Sequence, residues 1–410
     1  MATATVSAAN VPVTAIEHPL RNPNYRLWLI GGTISLLGDQ FYFVALPWLV
    51  LQQTGSAVAM GAIMMAGAIP RAVLMLMGGA VSDRMSARKI MMATATARTI
   101  CVTVIGFLVW LRVLRIWELY ALAVSFGVAD AFAAPAQTAY MPSLVKREQM
   151  VAASSVGQST AQVTTIVGQI PAGFVIKTLG VAWAFFVDAI SFFFIIGALW
   201  KLPDPPKPQT VRKSILHSIA EGMAYVRKDV PLRSLMVLIM ILNFCIAGPV
   251  PIGLAYLTKT KFGSPTVYGI MISAVAAGSL LGALLAGVWE IRRRGVMILL
   301  VSLMLGVCLG SIGMLGKVWS IAGVLLIMGL AAGMINIHIS AWIMQRIDVA
   351  IRGRVASVLM LGSVGIMPIS LAVAGFLVAW NLKLMFLLAG GLMVLTAAGA
   401  AFQKPVREIE

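Results

Sequence analysis

The chain is written in long apolar runs broken by short polar joints. A membrane-spanning helix needs about 20 mostly apolar residues, and about twelve stretches meet that rule. They lie at 26–51, 58–81, 90–111, 117–141, 151–176 and 181–200, then at 235–257, 267–289, 296–315, 318–344, 355–380 and 384–402. The longest polar segment separates the first six from the second six. It opens with Pro203, Pro205, Pro206 and Pro208, the composition of a stiff, extended linker. Behind it Ile215, Ile219, Met223 and Val226 recur at helical spacing, with Lys213, Glu221, Arg227 and Lys228 elsewhere on the turn. That pattern predicts an amphipathic helix on the membrane surface that tethers the two halves. The fold expected is an all-α integral membrane protein with about twelve transmembrane helices in two six-helix halves. Its expected divisions are a tail at 1–25, a first half at 26–201, a linker at 202–233, a second half at 234–403 and a tail at 404–410.

Composition agrees with the pattern. Hydrophobic residues make up 60% of the 410, charged residues 11%, and mean hydropathy is +0.95. Soluble domains run near ~45–50% apolar and ~25% charged, so little soluble mass is expected. The net charge of +17 changes the picture in one respect. No basic stripe interleaved with aromatics accompanies it, which argues against nucleic acid as a partner. The charge falls in the joints, where anionic lipid headgroups would meet it. With both termini cytoplasmic, about 22 Lys and Arg fall inside and about 7 outside, a bias that fixes orientation. The first twenty residues lack a basic-then-apolar leader pattern. Cys101, Cys245 and Cys308 all lie in apolar runs and read as small buried hydrophobes, not disulfides.

One joint has a specific spacing. Gly79, Asp83, Arg84, Arg88 and Lys89 follow G-x-x-x-D-R-x-x-x-R-K. Positive-inside bias accounts for the basic residues but not for Gly79 or Asp83. The stretch resembles the loop between the second and third helices of the major facilitator superfamily. Further residues resemble the drug:proton antiporter branch that includes macrolide efflux pumps and the enterobactin exporter. They are Gly38, Asp39 and Gln40 with Pro47 and Trp48 in the first span, Thr54-Gly55-Ser56-Ala57 after it, Asp188, Ser191 and Phe192 in the sixth, and Arg352-Gly353-Arg354. The resemblance implies a secondary transporter of a bacterial cytoplasmic membrane, with Gly79, Asp83, Arg84, Arg88 and Lys89 as a conformational latch. Two features depart from the branch. The fourth span has Asp130 in place of an Arg-bearing motif, and the fifth has Gly168, Pro171 and Gly173 spread apart. An offset of roughly 204 residues relates the two halves as a weak repeat. In the second copy the loop motif is degraded, with Glu290 kept but the Gly-Asp-Arg spacing lost.

Asp39, Arg71, Asp130 and Asp188 fall inside apolar spans. Intramembrane charge is costly, so such residues face a cavity and find partners. Counting 1.5 Å per residue puts Asp39, Arg71 and Asp130 roughly 16–20 Å deep, near the midplane. Arg71 is the expected partner of Asp39, with Asp130 as a relay. Arg98, roughly 12 Å deep, reads as a snorkelling side chain. Ser155, Gln158, Gln162, Thr165 and Gln169 share one face of the fifth span and are expected to line a cavity. Gly278, Gly282 and Ala286 form a close-packing face. Asn243, Asn336 and His338 are weaker candidates.

No metal-ligand spacing, nucleotide loop or cofactor motif appears, and no catalytic set lies at one depth, so an enzyme is not expected. The expected function is proton-coupled export of small amphipathic molecules, drug-like or siderophore-like, by alternating access. Its partners are the small-molecule substrate, protons and membrane lipids, and a monomer is expected. The alternatives are a lysophospholipid or metal-ion transporter, or a non-transporting membrane receptor or scaffold.

Overall fold

The computed structural model describes residues 18–82, 84–204, 215–288 and 293–402. Asp83, Pro205, Pro206, Pro208, Lys213 and Glu290 lie outside the described residues. The first six long helices are α1 (Pro23–Thr54), α2 (Ala57–Ser82), α3 (Ala87–Trp110), α4 (Ile116–Tyr140), α5 (Met150–Thr178) and α6 (Val181–Lys201). The linker helix is α7 (Ile215–Lys228). The second half holds α8 (Val230–Ala247), α9 (Pro249–Leu257), α10 (Pro265–Val288), α11 (Arg294–Ser311), α12 (Val318–Arg346), α13 (Val349–Trp380) and α14 (Leu382–Ala401).

The joints follow capping chemistry. The Asn22 side chain accepts from the Asn24 amide at 2.9 Å and starts α1. Gly55, at φ 63°, ends α1 in a left-handed turn that glycine adopts without steric cost. The Ser56 hydroxyl then accepts from the Ala59 amide at 3.2 Å and starts α2. Asp229 caps α8 through the Leu232 amide at 3.1 Å, which sets its start at Val230, a turn before the apolar run alone suggests.

Among the described residues, eleven helical stretches are long and apolar enough to cross a membrane, with Val230–Phe262 counted as one. The expected twelfth, α5, has the length but not the hydropathy. Its serines, threonines and glutamines lower the average. They need partners inside the protein, and α5 is placed to find them, packed between α1 and α10.

Each half packs mainly on itself. In the first, α1 lies on α5 and α6, α3 on α4 and α6, and α2 on α4. In the second, α10 lies on α12, α11 on α12 and α14, and α8 on α13 and α14. The small-residue face of α10 works within its own half. Gly278 and Gly282 sit directly on the backbone carbonyls of Leu326 and Leu330 in α12, where a Cβ would collide.

The halves meet through α2 on α13 and α5 on α10. A Cβ on Gly61 would lie 2.7 Å from the Leu371 carbonyl oxygen and 3.0 Å from the Gly375 Cα. Thr266 donates to the Gly173 carbonyl at 3.2 Å, and Ser273 to the Ile166 carbonyl at 2.9 Å. Lys259 stands 4.6 Å over the Trp48 ring. These contacts run from the middle of the bundle to the end opposite the start of α1.

The linker helix has a protein partner. It docks on α13: Gly222 fits against the Arg354 carbonyl, Arg354 pairs with Glu221 at 2.7 Å, and Val226 is buried. In the described part of its apolar face, Val226 and Met223 pack on protein.

Candidate functional site

Asp39 sits at the middle of α1, with Arg98 on α3, Asp130 on α4 and Arg71 on α2 around it. Arg71 Nε lies 3.0 Å from Asp130 Oδ2. Arg98 pairs with the other oxygen, Asp130 Oδ1, and its second terminal nitrogen stands 3.8 Å from Asp39 Oδ2. The expected Asp39–Arg71 pair is therefore replaced by a chain, Asp39–Arg98–Asp130–Arg71. Arg98 is its hub and is only 9% exposed. The snorkelling assignment fails for two reasons. The Ser86 cap starts α3 at Ala87, a turn earlier than the apolar run, which carries Arg98 deeper. The guanidinium also lies between two aromatic faces, 4.9 Å from the Phe126 centroid and 5.9 Å from the Phe192 centroid. A surplus of intramembrane carboxylates over the single assigned arginine was the available sign that Arg98 turns inward.

A cavity of about 400 Å³ ends at this chain. It runs from Trp28 near the start of α1 to Asp39 and Arg98. Its wall comes from α1, α3, α4, α5 and α6, all in the first half, and mixes apolar groups such as Met91 and Ile195 with Thr94, Gln137 and Gln158. Asp39 presents both a paired and an unpaired oxygen here: Oδ1 is buried without a hydrogen-bond partner among the described residues.

Asp188 lies behind the cavity. It is fully buried, and neither carboxyl oxygen has a hydrogen-bond partner among the described residues. Ser191, one turn on, gives its hydroxyl to the Asp188 main-chain oxygen at 2.7 Å. Gly38 makes room for this pair, since a Cβ there would lie 2.9 Å from Asp188 Oδ1 and would collide with Ser191. Tyr42, one turn beyond Gly38, stacks on Phe126 at 4.2 Å.

The polar stripe of α5 divides. Gln158 lines the cavity, as expected. Gln162 instead crosses to the second half, donating to the Ala276 carbonyl at 3.2 Å. Gln169 is buried against α1 and donates to Gln40 Oε1 at 3.0 Å. A helix wedged between two neighbours presents one face to several surroundings along its length. Asn243 donates to the Ile239 carbonyl of its own helix at 2.9 Å, and His338 Nδ1 lies 3.1 Å from the Met334 carbonyl.

At the joint after α2, Arg84 and Lys89 are exposed, and Gly79 belongs to the last turn of α2. Arg88 is tied to its own half: it donates to the Leu199 and Trp200 carbonyls at 2.6 and 3.0 Å, capping the end of α6. Beside it, Ser86 bonds the Asp204 carboxylate.

The profile of a family described as transmembrane secretion effectors of the major facilitator superfamily matches residues 14–410. The chain belongs to that family. It is a multi-pass membrane transporter of the major facilitator fold. The multidrug efflux pump Tap of Mycolicibacterium fortuitum is 29% identical over 397 residues, covering 94% of this chain and 96% of Tap. Macrolide efflux protein A of Streptococcus pyogenes is 24% identical, covering 94% of this chain and 97% of its own. Among solved structures, a variant of the nucleoside transporter NupG superposes with a TM-score of 0.76 at 14% identity, over 92% of this chain and 99% of NupG. A bacterial homologue of the lysosomal transporter Spinster gives 0.73 at 12% identity, over 96% and 98%. These two likenesses establish the fold alone.

Proposed function

We propose that the protein exports small amphipathic molecules in exchange for protons, by alternating access, from a cytoplasmic membrane in which both termini face the cytoplasm. The observation that carries this reading is the placement of Asp39 and Arg98 at the end of a cavity whose walls mix apolar and hydrogen-bonding groups. Such a wall accepts amphipathic molecules by contact and fixes them by a few polar groups. A carboxylate at its end offers one position for either a proton or a substrate cation.

Two further facts support the reading. The similar proteins include pumps named for multidrug and macrolide efflux. The named contacts at Gly61, Gly173, Ile166 and Trp48 lie from the middle of the bundle to one end, so rocking the halves about them would open that end and close the other. Positive-inside bias puts the cavity mouth on the cytoplasmic side, where an exporter loads. On this reading Gly79, Asp83, Arg84, Arg88 and Lys89 hold the cytoplasmic ends in the opposite state, anionic headgroups surround the basic joints, and the monomer is the working unit.

The test is transport in proteoliposomes of the purified chain, using ethidium and erythromycin as probes. An imposed pH gradient should drive either probe uphill in the direction opposite to protons. Equal movement with and without the gradient would exclude proton coupling. No movement of either probe, with both bound by the protein, would favour a receptor.

A further inference from the structure

We propose that Asp188 is the proton store of this transporter: in the conformation described, its carboxyl group is the protonated member of the buried cluster. The inference deepens the proton-coupled reading above and rests on it.

The first argument is a charge count. Among the described residues the cluster holds three carboxyl groups, Asp39, Asp130 and Asp188, against two guanidiniums, Arg71 and Arg98. Both guanidiniums bind Asp130, and Arg98 also reaches Asp39. One carboxyl group is left over. The second argument is that the leftover group is the one with nothing to hold a negative charge. Asp188 is fully buried, and neither of its oxygens has a donor among the described residues. An uncompensated carboxylate in such a place costs far more than a neutral carboxyl, whose O–H calls for a single acceptor.

The third argument is access. Asp188 touches α1 at Gly38, the residue before Asp39, because no Cβ stands between the helices. The charged and titratable groups that face this region are Asp39 and Tyr42 from α1, and Arg98 and Cys101 from α3. Arg98 is the one cation among them. Release then has a balanced path: the Asp188 O–H bond breaks as an Asp39 O–H bond forms, and Arg98, freed from Asp39, turns to the new Asp188 carboxylate. The net charge of the cluster is unchanged, and the proton has moved from a closed position to one at the cavity.

The experiment is infrared spectroscopy of the full chain in lipid nanodiscs at neutral pH, reading the C=O stretch of protonated carboxyl groups. The wild type should show one such band. Asp188→Asn should remove it, and Asp188→Glu should shift its frequency. Asp39→Glu should leave it in place. The two Glu variants preserve the charge count, so they report on position even if Asp188→Asn folds poorly. Absence of the band in the wild type, or a band that shifts in Asp39→Glu and not in Asp188→Glu, would overturn the proposal. This readout needs no substrate and no gradient. A wild type that shows the band but ignores a pH gradient in proteoliposomes would instead defeat the proton-coupled reading.

Discussion

Arg98 and Asp130 join the third and fourth helices at the centre of the first half, and each of the other described ion pairs of the cluster shares one partner with that bond. Among the described residues, Arg71 is within ion-pair distance of Asp130 but not of Asp39, and Asp39 is within that distance of Arg98. Arg98→Ala should therefore be the most damaging single change in the cluster. Removing one partner of a buried pair costs about 3–5 kcal/mol. Arg71→Ala should cost less, because the Arg71 side chain is 39% exposed and its pair is partly screened. Thermal unfolding in detergent checks the order. An Arg71→Ala variant less stable than Arg98→Ala would contradict the chain of pairs described.

The break between α8 and α9 is stitched from another helix. Ser370 of α13 accepts from the Gly248 amide at 2.8 Å and donates to the Phe244 carbonyl at 2.5 Å. Its hydroxyl stands where an unbroken helix would bond Gly248 directly to Phe244. Ser370→Ala leaves two buried backbone groups unpaired and should cost about 1–3 kcal/mol. Ser370→Thr keeps the hydroxyl and should recover most of that loss. A Ser370→Ala protein as stable as wild type in a chemical denaturation series would show that the stitch is dispensable.

The seam at Gly61 and Gly375 tests alternating access. Backbone approaches backbone there, and neither side has a flexible atom that can move away. Gly61→Leu should prevent closure at that end and shift the population toward the state open there. Spin labels at Thr54 and Trp380 should then report longer distances than in wild type. Unchanged distances, with the protein folded, would mean that the seam is not a moving interface.

Arg88 divides two readings of the loop. If its role is to cap α6, Arg88→Ala should lose about 0.5–1.5 kcal/mol of stability with transport reduced only in proportion. If the loop is also a latch, Asp83→Asn should change the balance of conformations while leaving stability alone. Thermal unfolding paired with labelling of a cysteine at Thr138, on the cavity side of α4, separates the two. Equal labelling of Asp83→Asn and wild type would remove the latch.

The fold was legible because its signal is redundant. Twelve apolar runs, a proline-rich divider and a biased distribution of Lys and Arg each point to the same architecture. The exception, α5, was still visible as a helix, and its low hydropathy marked the wall of the cavity. The candidate site was legible in composition but not in connection. Asp39, Arg71, Asp130 and Asp188 stood out as charges in apolar runs, yet depth alone cannot say which helix neighbours which. Depth suggests Asp39 as the partner of Arg71, whereas α2 packs more extensively on α4 than on α1. Arg98 was missed because a long side chain near a helix start fits snorkelling as well as burial. Ser370 carried no signal, and Gln40 stood out only as a motif residue, since their partners lie more than a hundred residues away.

The central claim is that a buried carboxylate at the end of the cavity couples export to protons. Asp39→Asn tests it most directly, because the amide keeps the size of the side chain and loses the titratable group. Purified wild type and Asp39→Asn are placed in proteoliposomes, and ethidium movement is followed twice: under an imposed pH gradient, and as exchange between labelled and unlabelled ethidium without one. The account predicts that Asp39→Asn loses gradient-driven accumulation but retains exchange. Gradient-driven accumulation at the wild-type rate in Asp39→Asn would contradict it.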